Sequence, residues 1–146
     1  MQVSVSQDVA CAPADLFAWV ADLERYPAWL SIVHRVVLAA PTGDEPAWQI
    51  DLRGRIGPLA RSKRLRMVRT EYEPGRLAVF ERREADGRHH SSWSLRAEVT
   101  AVGDGARLVM DLHYGGGLWV PMLERLLRDE IERSRARLVA LATGAG

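Results

Sequence analysis

A single long amphipathic helix, predicted from about Leu118 to Ala142, is the feature that most restricts what this chain can fold into. Its apolar residues recur at steps of three and four, which places them along one face of a helix. These residues are Val120, Leu123, Leu127, Ile131, Leu138 and Leu141. The opposite face carries acidic residues three or four positions before basic ones, a pattern typical of a solvent-exposed helix face. The apolar face therefore needs a surface to cover, which the preceding residues must supply.

The residues before this helix predict short strands separated by turns. Residues 3–9 alternate apolar and polar side chains, as in a half-buried strand. Further strands are predicted between turns rich in glycine, proline and aspartate, at about 33–39, 46–53, 60–71, 76–85, 90–101 and 106–114. Two short helices fit between the first and second strands. One starts at Pro13, and the other is capped by Asp22, runs to Tyr26 and is ended by Pro27.

These elements predict an α+β fold in a single domain spanning residues 1–146. Its seven-stranded curved antiparallel sheet wraps around the C-terminal helix, and two short helices follow the first strand. Positive and negative charges nearly cancel at +1, so net charge does not indicate binding to nucleic acid or to an anionic membrane. The lone Cys11 and the lack of any signal-like or membrane-spanning segment favour a cytoplasmic protein. We expect a monomer or a homodimer.

Four motifs mark the junctions between the predicted elements. They are Ala-Pro-Ala-Asp-Leu-Phe at 12–17, Asp-Leu-Glu-Arg-Tyr-Pro-Ala-Trp at 22–29, Glu-Pro-Gly-Arg at 73–76, and the glycines at 115–117. With the order of the elements, they make nearly the whole chain resemble the helix-grip domain of the SRPBCC superfamily. That superfamily includes START lipid-transfer domains, birch-pollen-allergen-like proteins and polyketide cyclase/dehydratase proteins. The resemblance implies a hydrophobic cavity between sheet and helix that admits a lipid, polyketide or isoprenoid.

The pattern of apolar residues also favours such a cavity, although a fully packed interior is the alternative. Trp119, Met122 and Leu126 add a second apolar row to the first turns of the helix, so we expect residues 118–126 to border the cavity. The candidate ligand-binding residues are Trp29, Trp48, Leu65, Met67, Arg69, Trp93, Met110, Leu112, Tyr114, Met122 and Leu126. Tyr114 is the candidate for a single directional hydrogen bond to a mostly apolar ligand.

Residues 61–69 form the densest basic cluster in the sequence. On a strand, Arg64 and Arg66 share one side, which we predict to be solvated, whereas Lys63 and Arg69 share the side of the apolar residues. No aromatic residues interleave with these bases, so nucleic-acid binding is not predicted. Two alternatives remain for Lys63 and Arg69. They belong to a solvated strand face, or they point into the cavity mouth and meet a carboxylate or enolate of the ligand.

The sequence displays no recognisable catalytic or metal-binding motif. Adjacent His89 and His90 face opposite ways on a strand, so they cannot chelate one metal ion. The glycines at 115–117 lack the lysine of a phosphate-binding loop, and we predict that they let the chain turn into the final helix. We therefore expect no metal and no cofactor.

Three functions fit these observations. The first is binding, transport or sequestration of a small hydrophobic molecule in the cavity. The second is an aromatase/cyclase or dehydratase, which would need polar side chains converging in the same cavity. The third is protein interaction through the basic strand or Trp119, as the resemblance to coenzyme-Q-binding and ribosome-associated relatives implies.

Overall fold

The computed structural model describes residues 1–56, 58–116 and 120–144. Within them, seven strands form one curved antiparallel sheet: β1 (Gln2–Val9), β2 (Val33–Thr42), β3 (Glu45–Ile56), β4 (Leu59–Glu73), β5 (Leu77–Arg82), β6 (Trp93–Val102) and β7 (Gly105–Tyr114). The helices in this part of the chain are α1 (Pro13–Phe17), a 3-10 helix (Leu23–Ala28) and α2 (Val120–Thr143). The predicted α+β helix-grip fold is confirmed.

The first strand of the sheet pairs with the last, which makes β1 and β2 its two edges. Its order is β1-β7-β6-β5-β4-β3-β2, so strands β2 to β7 form a meander and β1 pairs with β7. The β1–β7 register runs from Gln2 opposite His113 to Val9 opposite Ala106. Because α2 follows β7, it returns across the sheet and contacts both β1 and β3. The helix therefore spans the inner face between distant strands.

The inner face of the sheet is the apolar one that the alternation predicts. On β6, Trp93, Ala97 and Val99 are buried, and on β7 Leu108 and Met110 are buried while Arg107 is exposed. On α2 the residues Leu127, Leu138 and Ala142 are buried against this face. Burial of one face of each element supplies the main hydrophobic stabilisation of the fold.

The second short helix differs from its prediction at Pro27. Asp22 caps it as expected, accepting a hydrogen bond from the Glu24 N–H at 3.0 Å. Pro27 lies inside the helix and does not end it, since the Trp29 N–H still reaches the Tyr26 carbonyl at 3.1 Å. A 3-10 helix this short loses one donor at proline and keeps its neighbouring bonds.

Arg66 also differs from its prediction, because it is buried and does not lie on a solvated face. Its guanidinium donates to the carbonyls of Ala40 and Arg83, both at 2.9 Å. These carbonyls replace the water that a buried guanidinium gives up. Arg64, by contrast, is exposed as predicted.

Candidate ligand-binding cavity

A cavity of about 110 Å³ lies between the inner face of the sheet and α2. Every side chain that lines it is aliphatic, aromatic or a methionine. The lining residues are Val3, Val5, Leu23, Tyr26, Trp29, Leu30, Ile32, Val33, Ile50, Leu52, Leu65, Met67, Trp93, Leu95, Met110, Leu112, Leu127 and Ile131. A cavity of this composition suits an apolar molecule.

The strand register explains why these residues meet. Ile50 lies directly opposite Leu65, Leu95 opposite Leu112, and Val5 opposite Met110, so each pair shares the inner face. Side chains two residues apart along a strand return to the same face. The alternation of the strands is thus sufficient to assemble most of the cavity wall.

Six of the candidate ligand-binding residues line this cavity. They are Trp29, Leu65, Met67, Trp93, Met110 and Leu112. Trp48 is buried nearby, where its ring packs 5.8 Å from that of Phe80 and its Nε1 donates to a Glu24 carboxylate oxygen at 3.1 Å. Arg69 lies on the inner face but donates to the Ala21 carbonyl at 3.0 Å, outside the cavity lining.

The three remaining candidates lie near the start of α2 or the end of β7. Tyr114 packs against Trp93 with a ring-centre distance of 4.6 Å, and it does not belong to the cavity lining itself. Met122 is 42% exposed. Leu126 faces Gly54 and borders a separate, more polar groove between the β3–β4 hairpin and α2. Leu118 and Trp119, predicted at the cavity mouth, lie outside the described residues, as does Gly117 of the predicted turn.

Three lining residues carry a side-chain hydrogen-bond donor. The Tyr26 hydroxyl donates to the Val20 carbonyl at 2.9 Å, and the Trp29 Nε1 donates to the Trp19 carbonyl at 3.0 Å. Burial raises the pKa of the Tyr26 hydroxyl, which keeps it a neutral donor. The Trp93 Nε1 is buried and has no partner in the described structure. The cavity wall therefore holds one donor that the described residues leave unused.

A charged cluster lies beside the apolar wall, centred on Arg82. Arg82 is directly opposite Met67, and its side chain is only 8% exposed. Its Nε donates to Glu84 at 3.0 Å, and it also contacts Ser91 at 3.2 Å and the His90 Nδ1 at 3.3 Å. The motifs of the sequence do not predict this cluster. The available signal was parity, since Ala78, Phe80 and Arg82 alternate along β5.

Lys63 belongs to the same region. It lies opposite the cavity-lining Leu52, on the inner face of β4. Lys63 is exposed overall, but partial burial of its ammonium lowers the pKa. The positive charge of Arg82 lowers the pKa of Lys63 further, while Glu84 opposes the change. Arg82 and Glu84 therefore act in opposite directions on the charge of Lys63.

Among the described residues, no group of three or more histidine, cysteine, aspartate or glutamate side chains is arranged to hold a metal ion. No helix in the described parts of the chain is long and apolar enough to cross a membrane.

This fold and cavity define a helix-grip domain of the START/SRPBCC superfamily. Residues 1–143 match the model of the family described as polyketide cyclase / dehydrase and lipid transport, and the chain belongs to that family. No match was found among curated protein sequences.

Solved structures share the fold over its full length. The protein TTHA0849 from Thermus thermophilus aligns with a TM-score of 0.77 at 16% identity, covering 100% of this chain and 99% of its own. A START superfamily protein from Mycobacterium smegmatis aligns at 0.73 with 21% identity, covering 99% of both chains. The Zhui aromatase/cyclase from Streptomyces sp. R1128 aligns at 0.65 with 12% identity, covering 98% of this chain and 93% of its own. At these identities the likeness concerns the fold alone.

Proposed function

We propose that this protein binds a small hydrophobic molecule, such as a lipid, polyketide or isoprenoid, in the cavity between the sheet and α2. The observation that carries the proposal is the wholly apolar and aromatic character of the cavity wall. Interiors usually pack to the density of organic crystals, so an open apolar space forgoes contacts that a ligand would restore. Burial of apolar ligand surface supplies the affinity, at about 25 cal/mol per Å².

The family description supports the proposal, because it names lipid transport together with polyketide cyclisation and dehydration. The START superfamily protein and the aromatase/cyclase among the similar structures add likeness of fold. Transport and sequestration both require only binding and release, which this cavity could supply without a catalytic group.

Native mass spectrometry of the freshly purified protein tests the proposal, together with thermal shifts against fatty acids, quinones and aromatic polyketides. We expect a retained small molecule or an increase in melting temperature, since a ligand that binds only the folded state stabilises it. An empty protein that responds to none of the three compound classes would contradict the proposal.

A pair of leucine substitutions supplies a matched control. Leu95→Trp places a larger side chain in the cavity and should abolish the thermal shift. Leu38→Trp makes the same change at a site on β2 that is 66% exposed, and it should leave the shift intact. Equal thermal shifts in the two variants would mean that the ligand binds outside this cavity.

A cyclase/dehydratase activity in the same cavity is the second candidate function, and Arg82 is the observation that favours it. A guanidinium stays charged at any physiological pH and could stabilise an enolate formed beside the cavity wall. Turnover of a thioester-linked poly-β-ketone should then fall in Arg82→Met while binding of an unreactive aromatic polyketide persists. Wild-type turnover no faster than the uncatalysed reaction would exclude this candidate.

A further inference from the structure

The hydrogen-bond donors of the cavity wall are not equivalent. Tyr26 and Trp29 each donate to a backbone carbonyl, so neither offers its proton to a ligand. Trp93 is 5% exposed, and its Nε1 has no partner within the described residues. Most buried polar groups in proteins are hydrogen-bonded, and each exception calls for an explanation. A ligand acceptor would explain this one.

The surroundings of Trp93 hold its ring at the cavity. The strand register places Trp93 directly opposite Tyr114, and the two rings pack 4.6 Å apart. The residues next to this pair are also bonded, since the Gly115 N–H donates to the Ser92 carbonyl at 2.9 Å. Trp93 lines the cavity and packs on Tyr114, and its Nε1 is buried, so the indole N–H has no route to bulk water. The indole N–H must therefore find an acceptor inside the cavity or remain without a hydrogen bond.

We propose that Trp93 donates its indole N–H to an oxygen atom of the bound molecule, an inference that rests on the proposed function. The ligand is then an apolar molecule with a neutral acceptor, of the class of ketones, quinones and esters. A carboxylate is disfavoured, because no charged side chain belongs to the described cavity lining and a buried charge needs a partner. Tyr114, for which the sequence predicts this bond, supports the ring that makes it.

Nuclear magnetic resonance of the ¹⁵N-labelled indole groups tests the inference on the wild-type protein. The probes are 1-indanone and indane, which share a bicyclic skeleton and differ by one carbonyl. We expect 1-indanone to move the Trp93 N–H proton resonance downfield and indane to leave it nearly in place. Trp29 and Trp48 are internal controls, because their indole donors already bind protein oxygens. Single tryptophan-to-phenylalanine variants assign the resonances of the five tryptophans.

Affinity measurements provide a second readout. In Trp93→Phe, the preference for 1-indanone over indane should fall by about tenfold relative to wild type, the size expected for one hydrogen bond of about 1.4 kcal/mol. An unchanged preference, or equal movement of the Trp93 resonance with both compounds, would overturn the inference and leave the proposed function standing. Failure of both compounds to bind the wild-type protein would instead overturn the proposed function and this inference together.

Discussion

Arg82 lies directly opposite Met67 across β4 and β5, so a guanidinium and a cavity-lining thioether project from the same face of the sheet. Ala78 and Phe80, which precede Arg82 on this face at two-residue steps, are apolar and fully buried. A charge in this position requires a partner, which Glu84 supplies at 3.0 Å. The inner face therefore changes from apolar to charged at the border of the cavity.

Replacement of Arg82 by methionine should lower the free energy of unfolding by about 2 to 3 kcal/mol. Glu84 would keep its bond from the Arg66 N–H but lose its charged partner in a largely buried place. Urea denaturation of Arg82→Met measures the loss. Arg83→Met is the matched control, because Arg83 is 55% exposed and its pair with Glu81 should contribute less than about 1 kcal/mol. Equal losses in the two variants would show that the Arg82–Glu84 pair is no stronger than a surface pair.

The strands and the final helix could be predicted because each has one apolar face whose period appears directly in the sequence. This period predicts that Trp93, Met110 and Leu112 lie at the cavity, and all three line it in the structure. The same rule misses Arg82, because Leu77 and Val79 on one side of β5 are as apolar as Ala78 and Phe80 on the other. The period therefore does not show which side faces inward. Which donors are already satisfied also depends on contacts distant in sequence, so the unpaired Trp93 Nε1 is visible only in the structure.

Arg69 should act as a structural residue of the helical segment that follows β1. Its guanidinium donates to the Ala21 carbonyl, and its Cζ lies 3.9 Å from the centre of the Tyr72 ring. Arg69→Met removes both interactions and should lower the free energy of unfolding by about 1 to 3 kcal/mol. Arg69→Lys should recover only part of this free energy, because an ammonium lacks the planar, forked donor geometry of a guanidinium. Thermal denaturation measures both effects.

Ligand affinity distinguishes this structural role from the role in ligand binding that the sequence leaves open for Arg69. We expect the affinity of Arg69→Met for an apolar ligand to match wild type at temperatures where both are folded. A variant with an unchanged melting temperature and a weakened affinity would instead place Arg69 at the ligand.

Gly105 should tolerate a methyl group much less well than Gly54. A Cβ at Gly105 would lie 2.6 Å from the backbone oxygen of Val9, which also accepts the Cys11 N–H at 2.9 Å. Gly105→Ala should therefore disturb the β1–β7 pairing and lower the free energy of unfolding by about 1 to 3 kcal/mol. At Gly54 the nearest atom, at 2.8 Å, is the end of the flexible Leu126 side chain.

Gly54→Ala should consequently stay within about 1 kcal/mol of wild type, since leucine can rotate and alanine restricts the unfolded chain. Chemical denaturation of the two variants compares a backbone clash with a side-chain clash. A larger loss in Gly54→Ala would mean that Leu126 is held more firmly against β3 than its contacts indicate.

The Tyr26 hydroxyl should contribute measurably to stability. Tyr26 is a buried residue of the cavity lining, and its hydroxyl donates to the Val20 carbonyl at 2.9 Å. Tyr26→Phe should lower the free energy of unfolding by about 1 kcal/mol, the net value of one buried hydrogen bond. Tyr72→Phe is the control, because Tyr72 is exposed and should change stability by less than about 0.5 kcal/mol. Equal effects would place the contribution of Tyr26 in its ring alone.

The titration of Lys63 can be followed individually, because Lys63 is the only lysine in the chain. Its pKa reports on the charge of Arg82. Reductive methylation with ¹³C-formaldehyde labels its ammonium together with the N-terminal amine, and nuclear magnetic resonance follows its titration. The pKa of Lys63 should lie below the ordinary value of 10.5, since burial and Arg82 both disfavour the charged form. Stability should therefore rise with pH between the folded-state value and 10.5, where the unfolded chain binds more protons.

Arg82→Met should raise the pKa of Lys63 toward its ordinary value, because it removes the larger of the two nearby charge effects. Arg64→Met is the matched control. Arg64 is adjacent in sequence, but it is exposed and paired with Asp51 at 3.1 Å. Arg64→Met should leave the titration of Lys63 unchanged, because salt and water screen the exposed charge of Arg64. If both substitutions moved the pKa equally, the effect would come from net charge, and Lys63 would not lie beside Arg82 at the cavity border in solution.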